Sequence, residues 1–399
     1  MLFVSVRTKR SQAFRQPVAI VLTLLAFIQI PSATGQPVIS DRPPQTVTEV
    51  ETIAEVDRLE HPWGMAWLPE GALLVTERPG RVQWVSADRS RMVNVPGVPA
   101  VFAEGQGGLL DVAVHPLFEQ TGWVYFTYSA GTIDANHTRV ARARFDGEAL
   151  QDWLDIFSVS QLKNDAQHFG SRLEWLPDGT LLVSIGDGGN PPVTLDGRLI
   201  RQQAQNPNSH LGKIVRIRDD GSIPEDNPWQ DGTSGSPELW SYGHRNIQGL
   251  AVDPATGQVW ATEHGARGGD ELNAIAPQQN YGWPDVSHSR EYFNNQPVAP
   301  VLERADATSP SLVWTPAIAP SGLAIYRGDL FADWQGDLFA GGLVSKDVRH
   351  IEVAEDGSVS SERSIPIGAR VRDISQGPDG YLYVLTDEPN GRLLRLQPV

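Results

Sequence analysis

Along most of the chain, short apolar runs are bounded by turns built on Pro, Asp or Gly. The recurring unit is such a turn, then an alternating apolar strand, then a Gly-rich turn. It appears as LPEGALLVTERPGRVQWV (68–85), HPLFEQTGWVYFTYSAG (115–131) and LPDGTLLVSIGDGG (176–189). It returns as DPATGQVWATEHGARGG (253–269), FADWQGDLFAGGLVSKDVRHI (331–351) and GPDGYLYVLTDEPNGRLLRL (377–396). Runs of this length between turn residues are strand signals. The repeats recur at irregular intervals of roughly 45–80 residues, a spacing that marks repeat architectures. Six copies predict an all-β chain, a six-bladed β-propeller with four-stranded antiparallel blades and little helix. Stretches 190–236 and 285–312 have too little periodicity for strands. They are expected as long loops on one face, where ligand sites gather.

The start of the chain departs from this pattern. Arg7, Lys9, Arg10 and Arg15 precede the apolar run VAIVLTLLAFIQI (18–30), and PSATG (31–35) follows. The run is short for a membrane span, so residues 1–35 read as a cleaved signal peptide. Residues 36–50 read as an extended lead-in, and 51–399 as one propeller domain. The mature protein is expected in a bacterial periplasm or outside the cell, with no membrane span after cleavage, as a monomer or homodimer.

Composition narrows the chemistry. The 40 % hydrophobic and 20 % charged content fits a packed globular protein, and 38 Gly and 30 Pro fit a turn-rich one. There is no Cys, which removes disulfides, thiolate metal sites and Cys nucleophiles. A metal here would take oxygen or imidazole ligands, and oxygen favours Ca²⁺ or Mg²⁺. The formal net charge is −16, and removing residues 1–35 with their four basic residues leaves about −20. A nucleic-acid partner is not expected.

Four segments could carry chemistry. His168 stands in a turn before a strand, where an imidazole can act as general base or be a hydrogen-bonded structural residue. Arg245 and Asn246 stand in a turn ahead of another strand, offering a bidentate fork and an amide. In EHGARGGDELN (263–273), glycines at 265, 268 and 269 precede Asp270 and Glu271. Free carbonyls beside carboxylates suit a hard cation, although acidic Gly-rich loops also occur without one. Near the C-terminus lie Lys346 and the pair Arg370 and Arg372, which strand spacing puts on one face. Cations gathered in so acidic a chain suit an anionic ligand, or pair with neighbouring carboxylates. No GxSxG elbow, P-loop or HExxH motif is present.

Taken together, GQGGLLDVAVHP, HFGSRL, GHRNIQGL, EHGARGGDELN, NYGWP and the Lys and RxR segments resemble the soluble pyrroloquinoline quinone (PQQ)-dependent aldose sugar dehydrogenases, the group that includes soluble glucose dehydrogenase. The resemblance covers about residues 50–397. It implies a six-bladed propeller with PQQ in a cavity on one face. It implies oxidation of an aldose at its anomeric carbon to a lactone, with electrons passed to an external acceptor such as a quinone, cytochrome or dye. By motif, His168 is the implied base, and Gln106 a PQQ or substrate contact. Arg245 and Asn246 would contact PQQ, Arg245 also polarising the quinone. Gly265 and Ala266 would offer carbonyls to the Ca²⁺ beside PQQ. Lys346, Arg370 and Arg372 would hold its carboxylates and quinone oxygens, and Tyr292 would touch the cofactor. Glu271 and the Tyr281 carbonyl would form a second Ca²⁺ site.

Two positions depart from the glucose dehydrogenase branch. Gln167 stands where that branch has an acidic residue, and Ala266 where it has Pro. Both point to the aldose dehydrogenase branch and a broader sugar range. The competing readings are a propeller lactonase, a sorbosone-type dehydrogenase, or a non-catalytic propeller that binds sugars or proteins.

Overall fold

The computed structural model describes residues 36–354 and 356–399, and the expected signal peptide lies outside them. The strands Leu73–Glu77, Leu181–Ile185, Val259–Glu263, Leu338–Gly342 and Leu382–Thr386 are buried at every position. A strand points successive side chains to opposite faces, so each of these needs apolar cover on both sides. Neighbouring sheets supply it. Leu181 and Val183 pack with Tyr125 and Val140, whereas Leu182 packs with Leu250 and Ala261. Leu73 and Val75 meet Tyr383 and Leu385, whereas Leu74 meets Phe126 and Tyr128. The core is thus a set of wedges between sheets. Two-sided cover explains why these strands open on consecutive apolar residues instead of alternating.

Six antiparallel sheets follow one another in chain order and form a six-bladed β-propeller. The first blade is Pro62–Trp67, Leu73–Glu77, Arg81–Val85 and Met92–Val95. The sixth combines Val371–Gln376, Leu382–Thr386 and Gly391–Pro398 with Val50–Leu59 from the start of the chain. In that last pairing Leu59 lies opposite Gly391 and Val50 opposite Pro398, so the two chain ends lock the ring. The innermost strands form a closed circle, the last touching the first. Closure of this kind leaves the ring without an open edge between first and last blades.

Within the lead-in, Val38–Ser40 runs parallel to Leu312–Trp314 on the fourth blade, and Gln45–Thr46 parallel to Val359–Pro366 on the fifth. The stretch 190–236 is not wholly loop: Lys213–Ile217 is a fully buried strand of the third blade. Its sequence, KIVRI, hid this, because its two cations are buried with partners. Lys213 Nζ donates to the carbonyls of Gln203, Ala204 and Leu211. Arg216 reaches Asp178, Thr180 and Asp226. The only α-helix among the described residues is Phe118–Thr121.

Candidate active site

All inner strands begin on the same face of the propeller, called the upper face here. Their starts and the loops above them enclose a cavity lined by Trp63, Leu110, Gln248 and Arg372. Residues just beyond the second strands complete it: Arg78, His264, Leu343 and Asp387. Gln106, Phe169, Gly170, Ala319 and Arg370 fill the rest of the wall.

His168 is buried beside this wall and has φ of +50°. That left-handed conformation costs a non-glycine residue on the order of 1 kcal/mol and needs support from its surroundings. Gln106 Oε1 accepts the His168 N–H at 2.9 Å, and His168 Nδ1 lies 2.6 Å from Asp187 Oδ1. Gly170, φ +67°, completes the turn; a Cβ there would stand 2.7 Å from the Gly186 nitrogen. Asp187 is itself fixed, its Oδ2 accepting from Trp283 Nε1 at 2.7 Å and its Oδ1 from the Gly189 N–H at 3.1 Å. With a carboxylate at Nδ1, the proton sits there and Nε2 keeps its lone pair. Asn190 Nδ2 is 3.5 Å from that nitrogen. Burial and the Arg245 charge hold His168 below the usual histidine pKa, against Asp187, so the free base prevails near neutrality.

Arg245 follows a backbone turn set by its own N–H, which Glu263 Oε2 accepts at 2.7 Å. Its guanidinium donates to the His264 carbonyl and to Asn190 Oδ1 and lies over the Trp283 ring. Its Nε is buried without a partner. Asn246 Oδ1 accepts the Gly170 N–H at 3.1 Å. His264 is pushed down to about 3 by burial and the Arg245 charge.

Arg370 and Arg372 reach the same carboxylate. Asp387 Oδ2 is 3.2 Å from Arg370 and 2.8 Å from Arg372, and Oδ1 is 3.1 Å from His61 Nδ1. Burial works against ionisation of Asp387, but Arg372 outweighs it and holds the carboxyl well below its ordinary range. One anion thus answers two arginines, and the buried Arg372 Nε has no partner. Lys346 is exposed two residues beyond Val344, and its side chain makes no hydrogen bond among the described residues. Tyr292 lies 55 % exposed in an outer loop and is not part of the cavity wall.

The 263–273 segment forms a tight turn. Asp270 accepts the N–H groups of Gly265 and Ala319 at 2.8 and 2.7 Å, and burial raises its carboxyl to about 6. A Cβ on Gly265 would stand 2.3 Å from the Gly268 carbonyl oxygen, so this close approach needs glycine. Behind it, burial and then Glu263 push Glu271 well above the carboxylate range. Asn273 donates to both carboxylates, while its own Oδ1 is buried without a partner. The Tyr281 ring stacks on His244, which reaches Glu263 at 3.2 Å.

Sequence reasoning missed Asp187, Asn190, Arg78, Asp387 and His61. Four second strands end at Glu77, Ile185, Glu263 and Thr386, and Arg78, Asp187, His264 and Asp387 follow within two residues. Once the blades are located, that position alone singles these residues out.

Fold and cavity define a six-bladed propeller with a cationic, base-bearing pocket at the top of its axis. The chain belongs to the Glucose / Sorbosone dehydrogenase family, whose sequence model matches residues 59–395. It is 60 % identical over 357 residues to an uncharacterized protein of Synechocystis, covering 88 % of this chain and 87 % of that one. It is 38 % identical over 352 residues to an aldose sugar dehydrogenase of Escherichia coli, covering 86 % and 91 %. The PQQ-bound aldose sugar dehydrogenase of Streptomyces coelicolor superposes with a TM-score of 0.70 at 27 % identity, covering 89 % of this chain and all of that one.

Proposed function

We propose that the protein is a PQQ- and Ca²⁺-dependent dehydrogenase that oxidises aldose sugars at the anomeric carbon to lactones. The observation that carries this is the free-base His168, held by Asp187 beside a cavity whose wall presents Arg370 and Arg372. The family and the PQQ-bound relative support the same reading.

The residues fit the cofactor. PQQ is a tricarboxylate, and Arg370, Arg372 and Lys346 would hold it, with Gln106, Arg245 and Asn246 as further contacts. The unpartnered Nε atoms of Arg78, Arg245 and Arg372 are buried donors that suit an anion. The carbonyls of Gly265 and Ala266 would serve the Ca²⁺ beside it. Two crowded carboxylates and the orphaned Asn273 Oδ1 suit a second cation at Glu271, with the Tyr281 carbonyl. Tyr292 would reach the cofactor only if its loop folds inward.

When bound, PQQ with its Ca²⁺ supplies the acceptor for hydride leaving the anomeric carbon. His168 Nε2 takes the proton of the anomeric hydroxyl, and Asp187 keeps Nδ1 protonated so that Nε2 faces the sugar. Trp283 and Gly189 keep Asp187 in place. The sugar loses one hydride and one proton and becomes a lactone. Electrons leave through an external acceptor. Residues 1–35 would direct the protein across a bacterial inner membrane.

The test is reconstitution of the purified protein with Ca²⁺ and PQQ, followed by dye reduction against a panel of aldoses. Sugar-dependent reduction that requires PQQ is expected. Failure to take up PQQ, or hydrolysis of lactones with Ca²⁺ alone, overturns the reading.

A further inference from the structure

We propose that Lys163 is a positioning residue for His168, holding the imidazole-bearing turn through the carbonyls of Asp165 and Gln167. The proposal rests on the reading of His168 as general base.

Lys163 is 4 % exposed. Its backbone pairs in both directions with Asn136, at 2.9 and 3.0 Å, which anchors it to the second blade. Its Nζ donates to the Asp165 carbonyl at 2.7 Å and also to the Gln167 carbonyl. The same Nζ lies 3.7 Å from the centre of the Phe169 ring. One ammonium therefore touches the residues on both sides of His168. Gln106 grips the turn from the opposite side, accepting the His168 N–H and donating its own N–H to the Ala166 carbonyl at 2.8 Å. A left-handed, non-glycine residue needs such support, and a base displaced by a fraction of an ångström loses much of its reach.

The lysine also acts through its charge. Burial brings Lys163 down to about 7, while Asp165 and Asp187 favour its charged form. His168 titrates lower than an ordinary histidine, through burial, Arg245 and Lys163, against Asp187. Lys163 is thus positive across the range in which His168 would gain a proton, and it opposes that proton. Removing the charge must move the imidazole titration upward.

The experiment compares native protein, Lys163→Met and Lys163→Arg. The first readout is the NMR titration of the His168 ring in protein without added PQQ, assigned with His168→Gln. The second is kcat and KM for D-glucose with PQQ, Ca²⁺ and a dye. In Lys163→Met the imidazole should titrate at higher pH and kcat at pH 7 should fall about tenfold, with KM within about twofold. Lys163→Arg should return the titration toward native. A folded Lys163→Met with unmoved titration and unmoved kcat overturns the proposal. Where that variant does not fold, Lys163→Gln is read in its place. Failure of both to fold overturns positioning in favour of a purely structural lysine. Should native protein oxidise no aldose while the titration still moves, the proposed activity falls and the link between Lys163 and His168 stands.

Discussion

The six inner strands line a lower channel, and four of them, with the loops before the other two, line an upper cavity that holds the proposed site. The upper cavity takes the starts of these strands and the lower channel takes their ends, among them Trp67, Trp175, Val252 and Gln376. Between them sits Arg172, 3.2 Å from Asp111 and 2.9 Å from Asp373. Its guanidinium lies over Trp63 and donates to the carbonyls of Gln248 and Arg372. Above this plug the charges are mostly guanidinium with a free-base imidazole. At and below it the ionisable groups are acidic: Asp111 and Asp373, which hold Arg172, and then Glu174. The blades supply nearly equal frames at both ends. On the lower face, compact turns such as LPEG, LPDG and GPDG join first to second strands. On the upper face the candidate site residues sit in connections of very unequal length, from the four-residue turns of Arg245, Arg370 and Asp387 to the long 186–212 segment of Asp187 and Asn190. The candidate chemistry therefore follows which end of the strands a connection caps, not how long that connection is.

The largest effect is expected at His168. His168→Ala should still take up PQQ and Ca²⁺, yet lose about 10²- to 10⁴-fold in kcat, the usual contribution of a general base. The check is a PQQ titration beside steady-state dye reduction. Near-native turnover would remove the functional asymmetry between the two compartments.

A smaller effect is expected at the rim. Lys346→Ala should raise the Kd for PQQ about tenfold, because an exposed cation loses little more than about 1 kcal/mol of attraction. At saturating PQQ the rate should stay within about twofold. A titration curve that overlays the native one would take Lys346 out of the cofactor site. It would leave the anion to Arg370 and Arg372 alone.

The lysines show how far the sequence could be read. Residues 36–399 contain three, and only Lys346 is expected from the sequence at a ligand. Lys163 and Lys213 instead bind backbone carbonyls inside the fold, and only Lys346 stands exposed near the cavity. Composition counts cations but does not say which are buried. The blades were legible because each repeat falls on the second strand of a blade, where cover from both neighbours favours consecutive apolar residues. Arg370 and Arg372 were legible as a pair, since period-two spacing alone aims both at one place. Asp187 was not, because its partner lies 19 residues away across the blade. The antiparallel pairing of Leu173–Trp175 with Leu181–Ile185 brings the end of the second strand beside the start of the first.

The lower channel offers the mildest and most discriminating prediction. Burial, and then the Asp111 charge, push the Glu174 carboxyl up to about 8. A group that holds its proton more tightly when folded makes the protein less stable as pH rises. The penalty begins near the unfolded value of about 4.3 and is complete above about 8. Glu174→Gln removes it, so the variant should match native protein in Tm at pH 4 and exceed it by a few degrees at pH 8. Its turnover should remain within about twofold of native, because Arg172 and its two aspartates close the floor between Glu174 and the cavity. A tenfold loss of activity in a fully folded Glu174→Gln would mean that the two compartments communicate through the plug. The axis would then be one continuous site, and the separation of scaffold from chemistry would fail at its centre.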